Sequence, residues 1–345
     1  MDDLEGEACQ HLSGCIDVIT PYAVRVAATL RLADLIAAGA SRLDALADAA
    51  RVDSAALRRL MRYLACRGVF REVEPDAYAL TDPARLLLDG HSLGLRAWLD
   101  VEGVAGRMDL AVTGLLGSIR TGDAAYPSVL GRPFWDDLAA EPALAQQFDR
   151  LMDGHSEWFA QAVVESYDWS SAAHVVDVGG GTGTLLARIL GTDARLRGTL
   201  VELPATVATA EARFASAGVA DRCRVVAGSF FEPLPRGGDL YVLANIVHDW
   251  SDREAVAILR RAAEAAGTAG RVLVVERALD EGDAEEMTGM DLRMLVVFGS
   301  RERTLGELRE LAAGARLAVE AVHRTRVGYL LIECVSGDPS APEAP

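Results

Sequence analysis

The chain has 345 residues, half of them hydrophobic, and a formal net charge of −17, and this length favours two domains or one domain with a large extension. The acidic balance argues against a nucleic-acid partner, and no apolar run reaches the roughly 18 residues that would span a membrane. The acidic start and five scattered cysteines, which lack disulfide or zinc-site spacing, predict a cytoplasmic protein with reduced thiols.

Residues 1–90 predict a small helical domain that ends in a hairpin. Apolar residues recur at helical spacing over 7–39, which predicts two helices. Ser41 and Asp53 are N-cap residue types, and each precedes a further helical stretch. The alternating run at 69–81 then predicts a hairpin, which completes a winged-helix pattern. Because the charge is acidic, we interpret this module as an accessory dimerisation domain in preference to a DNA reader.

After residue 90 the sequence pattern is first helical and then alternates between short strands and helices. Residues 91–168 keep a helical pattern and predict a connector, and residues 337–345 predict a disordered tail. Over 169–336, short β-rich runs alternate with helices, which predicts an α/β fold with a mostly parallel sheet. Its strands are expected at HVVDV, GTLVEL, CRVVAG, DLYVLANIV, RVLVVE, LAVEAVHRT and GYLLIECV. The last two runs lack room for a helical crossover, so the final strand should be antiparallel.

The run VVDVGGGTGT combines a buried strand, a glycine-rich turn and a helix start. Gly179, Gly181 and Gly183 let the backbone approach a ligand closely. A dinucleotide fingerprint counted from Gly179 would require glycine where the chain has Thr184. The observed GxGxG spacing after Asp177 is instead typical of folds that bind S-adenosylmethionine (SAM). Many turns contain glycine, so the loop needs support from other positions.

Two later strand ends supply that support. The strand GTLVEL ends near Glu202, where a carboxylate can accept both ribose hydroxyls of an adenosine group. The next strand ends in GSFFE, so Ser229 and Phe230 could flank an adenine ring. The alternatives are a solvated charge at Glu202 and an ordinary core position at Phe230.

The strand end NIVHDWSD narrows the interpretation. A His-Asp-Trp sequence after a GGGTG loop resembles the small-molecule O-methyltransferases of plant phenolics and bacterial aromatic natural products. The likeness covers nearly the whole chain through FDRLMDGHS, VVDVGGGTG, LVELP, GSFFE, HDWSD, VVERA and RERT, in that order. It implies a Rossmann-like SAM-methyltransferase sheet behind a winged-helix dimerisation domain. It also implies a connector that contributes to the acceptor pocket. The amphipathic helices of residues 1–90 carry more apolar surface than so small a module can bury alone, which predicts a homodimer formed mainly by these residues.

The resemblance assigns the chemistry to three residues. In that family the histidine of the HDW sequence is the general base and two later glutamates hold it, which implies these roles for His248, Glu276 and Glu302. The position fits, because His248 follows the carboxyl end of a strand, where open α/β sheets bind ligands. An imidazole also titrates near neutral pH. The alternatives are a helix-start role for the histidine and solvated surface positions for the glutamates.

The family also implies further contacts, with two departures from its pattern. Many relatives carry an aspartate for adenine where this chain has Ser229, and plant members carry a lysine where it has Ala244. Spacing by itself favours core packing for the helical pair four residues apart, Phe148 and Met152. The implied contacts are Ser156 and Trp250 for the cofactor, and Phe148, Met152, Asn245 and Met294 for the acceptor.

The sequence therefore predicts SAM-dependent methylation of a phenolic hydroxyl on a small aromatic, polyketide-type acceptor. It predicts S-adenosylhomocysteine (SAH) as product, and it predicts no metal. Within the family, a SAM-dependent hydroxylase or decarboxylase is the alternative, and retention of His248 with both glutamates argues against it. A non-catalytic SAM sensor and a nicotinamide dehydrogenase are alternatives from other classes.

Overall fold

The computed structural model describes residues 3–337, so the predicted tail 337–345 lies outside it apart from Gly337. The chain divides into two units, residues 1–109 and 110–345. The domain boundaries predicted near residues 90 and 168 stay predictions. No helix within the described residues is long and apolar enough to cross a membrane.

The first unit is helical and contains one hairpin. Its elements are α1 (Asp3–Cys15), α2 (Ile19–Thr29), α3 (Leu32–Ala37), α4 (Leu43–Ala50), α5 (Ser54–Cys66), β1 (Phe70–Glu74), β2 (Ala77–Leu80), α6 (Asp82–Arg85) and α7 (Leu95–Trp98). The side chain of Asp53 caps α5 as predicted, by accepting from the N–H of Ala56. Helix α5 buries Leu57, Met61 and Leu64 in the core of this unit.

The expectation of two helices over residues 7–39 was wrong, because three form there. Arg31 adopts a left-handed backbone with φ of 55°, which ends the run begun by α2 before α3 starts. A non-glycine residue rarely takes this conformation, so the apolar periodicity gave no sign of the break.

The second unit holds a seven-stranded sheet and most of the remaining helices. The helix α8 (Val104–Ala111) precedes α9 (Leu115–Thr121), α10 (Tyr126–Leu130), α11 (Phe134–Ala140) and α12 (Pro142–Glu165). The later helices are α13 (Thr184–Thr192), α14 (Val207–Ser216), α15 (Asp252–Ala266), α16 (Ala284–Phe298) and α17 (Leu305–Gly314). The strands are β3 (His174–Val178), β4 (Arg197–Glu202), β5 (Cys223–Ala227), β6 (Leu240–Ala244), β7 (Arg271–Arg277), β8 (Leu317–Arg324) and β9 (Tyr329–Ser336).

The sheet has the order β5-β4-β3-β6-β7-β9-β8. Strands β3 to β7 pair in parallel, whereas β9 is antiparallel to both β7 and β8. The predicted mostly parallel sheet with an antiparallel last strand is confirmed. Hydrophobic clusters cover both faces, which is why the strands are near-continuous apolar runs. The strand order reverses between β3 and β6, and a ligand crevice forms at the carboxyl ends beside such a point.

Candidate active site

The glycine loop after β3 is shaped by close packing and by positive φ angles. Gly179, Gly181 and Gly183 have φ of 70°, 58° and 80°. A Cβ added at Gly183 would lie 2.4 Å from the ring of Phe214, and one at Gly179 would lie 2.8 Å from Ile246. Side chains are therefore excluded at both ends of the loop, so its backbone can be approached closely by a ligand.

Asp177 lies at the end of β3, directly beneath this loop. It is fully buried, and within the described residues neither carboxylate oxygen has a hydrogen-bond partner. Burial, followed by the nearby charge of Glu202, raises the pKa of Asp177 to about 7. An unsatisfied buried carboxyl is costly, and a hydrogen-bond donor on a bound molecule would remove that cost. This observation fits a cofactor that carries an amino group.

Glu202 ends β4 and is held in place by backbone groups. Its two carboxylate oxygens accept from the N–H of Gly181 at 2.8 Å and from that of Leu203 at 2.7 Å. Burial raises its pKa most strongly, the two N–H groups oppose that effect, and the charge of Asp149 adds to it. A carboxylate offers about four acceptor positions, so each oxygen can still accept one ribose hydroxyl.

Aromatic side chains border the other side of the loop. The ring of Phe230 would lie 3.2 Å from a Cβ at Gly179, and it meets Trp250 edge-on with centroids 5.7 Å apart. Phe231, which the sequence interpretation missed, also meets Trp250 edge-on at 4.8 Å. The hydroxyl of Ser229 accepts from the N–H of Phe231 at 3.2 Å and keeps its own proton free to donate.

His248 lies in the short 3-10 turn Val247–Asp249, beyond the carboxyl end of β6. Its Nδ1 is 3.1 Å from Glu302 and 3.9 Å from Glu276, and its Nε2 is 3.5 Å from Asp249. The imidazole is 21% exposed, whereas Glu276 and Glu302 are 2% and 3% exposed. The structure thus brings the three residues together, and neither glutamate is a solvated surface charge.

The turn that carries His248 is fixed from two sides. One oxygen of Glu276 accepts from the N–H groups of Ile246 and Val247 at 3.0 and 2.9 Å. The buried guanidinium of Arg303 donates to the carbonyls of Val247 and Trp250, each at 2.7 Å. The sequence interpretation missed Arg303, although the residue lies in the RERT motif.

The carboxyl groups around His248 change its titration. Burial lowers its pKa, but the charges of Glu276, Asp249 and Glu302 outweigh burial and raise the pKa to about 10. Burial in turn raises the pKa of Glu276 to about 7 and that of Asp249 to about 6, against the opposing charge of His248. The imidazole therefore titrates as part of a coupled cluster and not as a lone group near neutrality.

An aromatic cluster connects the His248 turn with α11, α12 and α16. Trp135 stacks on Trp250 with centroids 5.9 Å apart and planes 8° apart, and it also stacks on Phe298. Phe148 meets Phe134 and Trp135 edge-on at 5.3 and 5.7 Å. Phe148 thus belongs to this aromatic cluster, and its predicted contact with the acceptor stays a prediction. The other members, apart from Trp250, were missed because no motif marks them.

The remaining acceptor and cofactor positions differ in burial. Met294 is buried on α16, whereas Met152 and Ser156 are half-buried on α12. Asn245 has a left-handed backbone with φ of 54°. Burial raises the pKa of Tyr329, and the nearby side chain of Asn245 opposes that effect. The assignment of these residues to cofactor or acceptor contacts stays a prediction.

A second histidine lies close to this site. Nε2 of His155, on α12, is 2.8 Å from the hydroxyl of Tyr329, on β9. Burial, with smaller contributions from the charges of His248 and Arg277, lowers the pKa of His155 to about 4, so its imidazole is neutral. Within residues 3–337, His, Cys, Asp and Glu side chains form no group of three or more that could hold a metal ion. Independence from metal stays a prediction.

Comparison with known families decides what this site belongs to. A family model described as an O-methyltransferase domain matches residues 113–317, more than half of the chain. The chain belongs to the O-methyltransferase family. A second model, the O-methyltransferase dimerisation domain, matches residues 10–90. The predicted family is therefore confirmed, and the protein is a SAM-dependent O-methyltransferase.

Three relatives illustrate where this O-methyltransferase lies within its family. It is 48% identical over 312 residues to 2,7-dihydroxy-5-methyl-1-naphthoate 7-O-methyltransferase of Streptomyces carzinostaticus, covering 90% of this chain and 93% of the relative. It is 46% identical over 308 residues to aclacinomycin 10-hydroxylase RdmB of Streptomyces purpurascens, covering 88% and 82%. The crystal structure of NcsB1, an O-methyltransferase from neocarzinostatin biosynthesis in complex with SAM and 2-hydroxy-5-methyl naphthoic acid, matches with a TM-score of 0.88 and 46% identity. That match covers 94% of this chain and 98% of NcsB1.

Proposed function

We propose that this enzyme methylates a phenolic hydroxyl of a small, naphthoate-type aromatic acceptor, with His248 as the general base. The observation that carries the proposal is the partly exposed imidazole held at 3.1 Å by the buried carboxylate of Glu302. The identity of 48% to a naphthoate 7-O-methyltransferase supports the acceptor class. The aromatic cluster around Trp135 and Trp250 supports it too, because flat rings stack well on indoles.

In the proposed reaction, different side chains bind the cofactor, remove the proton and stabilise the charge that forms. The glycine loop and Glu202 would hold the cofactor, which supplies an electrophilic methyl group when bound. His248 accepts the phenolic proton at Nε2, because Nδ1 already faces Glu302. The negative charges of Glu302 and Glu276 stabilise the imidazolium that results. Trp135 and neighbouring aromatic side chains exclude water, which strengthens these charge interactions.

The direct test incubates the purified enzyme with SAM and a panel of hydroxynaphthoates at pH 7, and follows SAH release and product mass. A product heavier by one methylene group supports the proposal. In His248→Ala, turnover should fall on the order of 100-fold or more while SAM affinity stays within a few-fold, because the base is lost and the cofactor site remains. Near-normal turnover in that variant would contradict the role of His248.

The 46% identity to a 10-hydroxylase supports one second candidate, a SAM-dependent hydroxylase. The same assay separates the two reactions, because hydroxylation adds one oxygen to the product and releases no SAH. The pairing of His248 with Glu302 favours methyl transfer, since proton removal from a phenol requires a supported base.

We infer further that the enzyme is a homodimer formed through its first unit. The dimerisation-domain match at residues 10–90 supports this. Apolar side chains that are roughly half exposed or more also cluster at the junction of α1 and α2, which is unusual for a surface left in water. They are Leu12, Ile16, Val18, Ile19 and Tyr22.

A further inference from the structure

Helix α12 carries a row of carboxylates spaced four residues apart, namely Asp149, Asp153 and Glu157. Residues four apart share one helix face. Two of them contact α14 or the residue before it: Asp149 accepts from the hydroxyl of Thr206 at 3.4 Å, and Glu157 accepts from Arg213 at 3.3 Å. The pattern D-x₃-D-x₃-E overlaps the FDRLMDGHS motif but was not recognised in the sequence.

Asp153, the middle member, makes the most contacts. Its Oδ1 accepts from the hydroxyl of Thr182 at 2.8 Å and from that of Thr184, while its Oδ2 accepts from the guanidinium of Arg213. Thr182 lies inside the glycine loop and Thr184 begins α13, and both are buried. A single carboxylate therefore joins the middle of α12 to the cofactor loop through charge-assisted hydrogen bonds.

The same helix reaches the acceptor side. The two predicted acceptor contacts on this helix, Phe148 and Met152, each precede one of these carboxylates in sequence, and Phe148 packs against Trp135. Trp135 in turn stacks on Trp250, which follows His248 by two residues. An ordering of the loop can thus be transmitted along α12 to the aromatic cluster.

We propose that Asp153 is a positioning residue that couples the glycine loop to α12, so that cofactor and acceptor bind cooperatively. A bound cofactor fixes the loop, the loop fixes α12 through Asp153, and the acceptor then meets an ordered aromatic wall. Thermodynamic linkage requires that the acceptor strengthens cofactor binding by the same factor. The acceptor part of this inference rests on the proposed function, whereas the coupling of loop and helix does not.

The first experiment needs no acceptor. Hydrogen exchange of the α12 amides is measured with and without saturating SAH, with saturation determined by calorimetry for each variant. In the wild type, SAH should slow exchange across residues 148–156. In Asp153→Ala that slowing should be lost. Glu165→Gln is the control, because this carboxylate lies at the end of the same helix and contacts Arg326 and Gln161 and not the loop, so the variant should behave as the wild type. Unchanged slowing in Asp153→Ala overturns the proposal.

A second variant guards against misfolding of the first. Thr182→Val keeps Asp153 and its ion pair with Arg213 but removes one loop hydroxyl from the carboxylate. It should lower the SAH-dependent slowing while its melting temperature stays near that of the wild type. If SAH slows the exchange of the α12 amides in Thr182→Val and in Asp153→Ala as much as in the wild type, these contacts do not couple the loop to the helix and the proposal is wrong.

The second experiment measures the affinity of a hydroxynaphthoate with and without SAH. In the wild type and in Glu165→Gln, SAH should tighten this affinity about fivefold or more, within the usual range of coupling between sites. In Asp153→Ala the ratio should approach one. If SAH slows α12 exchange as expected but no hydroxynaphthoate binds, the proposed acceptor class fails and the coupling of loop and helix stands. An unchanged affinity ratio in Asp153→Ala would overturn the cooperative role.

Discussion

The environment of His248 favours the imidazolium over the neutral imidazole. The surrounding carboxylates raise its pKa to about 10, close to the pKa of about 10 of a simple phenol. A neutral imidazole beside a phenol and an imidazolium beside a phenolate contain the same number of protons. Proton transfer between partners of matched pKa carries little penalty, so the cluster can deliver the acceptor oxygen in its nucleophilic form.

Glu302→Gln tests this electrostatic role. Removing the charge nearest to Nδ1 should lower the pKa of His248. The base form then persists to lower pH, so the rising limb of the profile of kcat/KM against pH should move toward acid. The maximal rate should fall, because the imidazolium is less well stabilised.

The measurement compares kcat/KM across pH for the wild type and two variants. Glu310→Gln is the matched control, because this exposed glutamate on α17 undergoes the same change of charge away from the site. Its profile should coincide with that of the wild type. If the rising limb of the kcat/KM profile stays at the same pH in Glu302→Gln, or moves to higher pH, the electrostatic role assigned to Glu302 is contradicted.

For single residues, the sequence motifs identified the three proposed catalytic side chains but not the electrostatic environment around them. His248, Glu276 and Glu302 were assigned by resemblance, and the structure brings them within contact. The raised pKa of His248 and the pair of His155 with Tyr329 could not be predicted. The raised pKa depends on the pairing of β6 with β7, which places Glu276 beside the His248 turn. The pair of His155 with Tyr329 depends on the position of β9 beside β7, and no local pattern in the sequence encodes either pairing.

Among the elements, the glycine loop sets the strictest steric condition. Gly183→Ala should destabilise the protein, because a left-handed backbone costs a side chain roughly 1–2 kcal/mol and the new Cβ would overlap Phe214. SAM affinity should fall as well, because the loop must shift. The melting temperature and calorimetry with SAM measure the two effects.

Gly154→Ala provides the control for this substitution. Gly154 lies inside α12 with no atom within 4 Å of a Cβ added there. Alanine should therefore raise the stability by about 0.5–1 kcal/mol with SAM affinity unchanged. Equal behaviour of the two variants would show that the loop tolerates side chains, against the geometry described here.

The strands were predictable because buried parallel strands are short apolar runs between turn residues. All seven expected runs form strands of the main sheet. The break at Arg31 was not predictable, since helical periodicity continues through it and arginine is a good helix former. Helix caps lie between these cases: Asp53 caps α5 as expected, whereas the helix expected from Ser41 begins at Leu43.

For the whole molecule, the proposed homodimer can be tested by measuring the mass of the protein in solution. Light scattering at micromolar concentration should give twice the mass of one chain. Replacing Ile16 and Ile19 together with glutamate should shift the protein toward monomer, because two charges would then lie in an apolar contact. A monomeric wild type would contradict the dimer, and a dimeric double variant would contradict the surface assigned to it.

The position of β9 in the sheet determines the order in which this enzyme can be completed during synthesis. The ribosome makes β7 and β8 before β9, so the outer edge of β7 and the whole of β8 remain unpaired until β9 lies between them. The same strand carries Tyr329, which contacts His155 and lies near Asn245. Insertion of β9 into the sheet therefore also brings these side chains together. A nascent chain interrupted before β9 therefore exposes the edge of β7 and an unpaired β8, and unpaired strand edges of this kind are what chaperones and proteases act on.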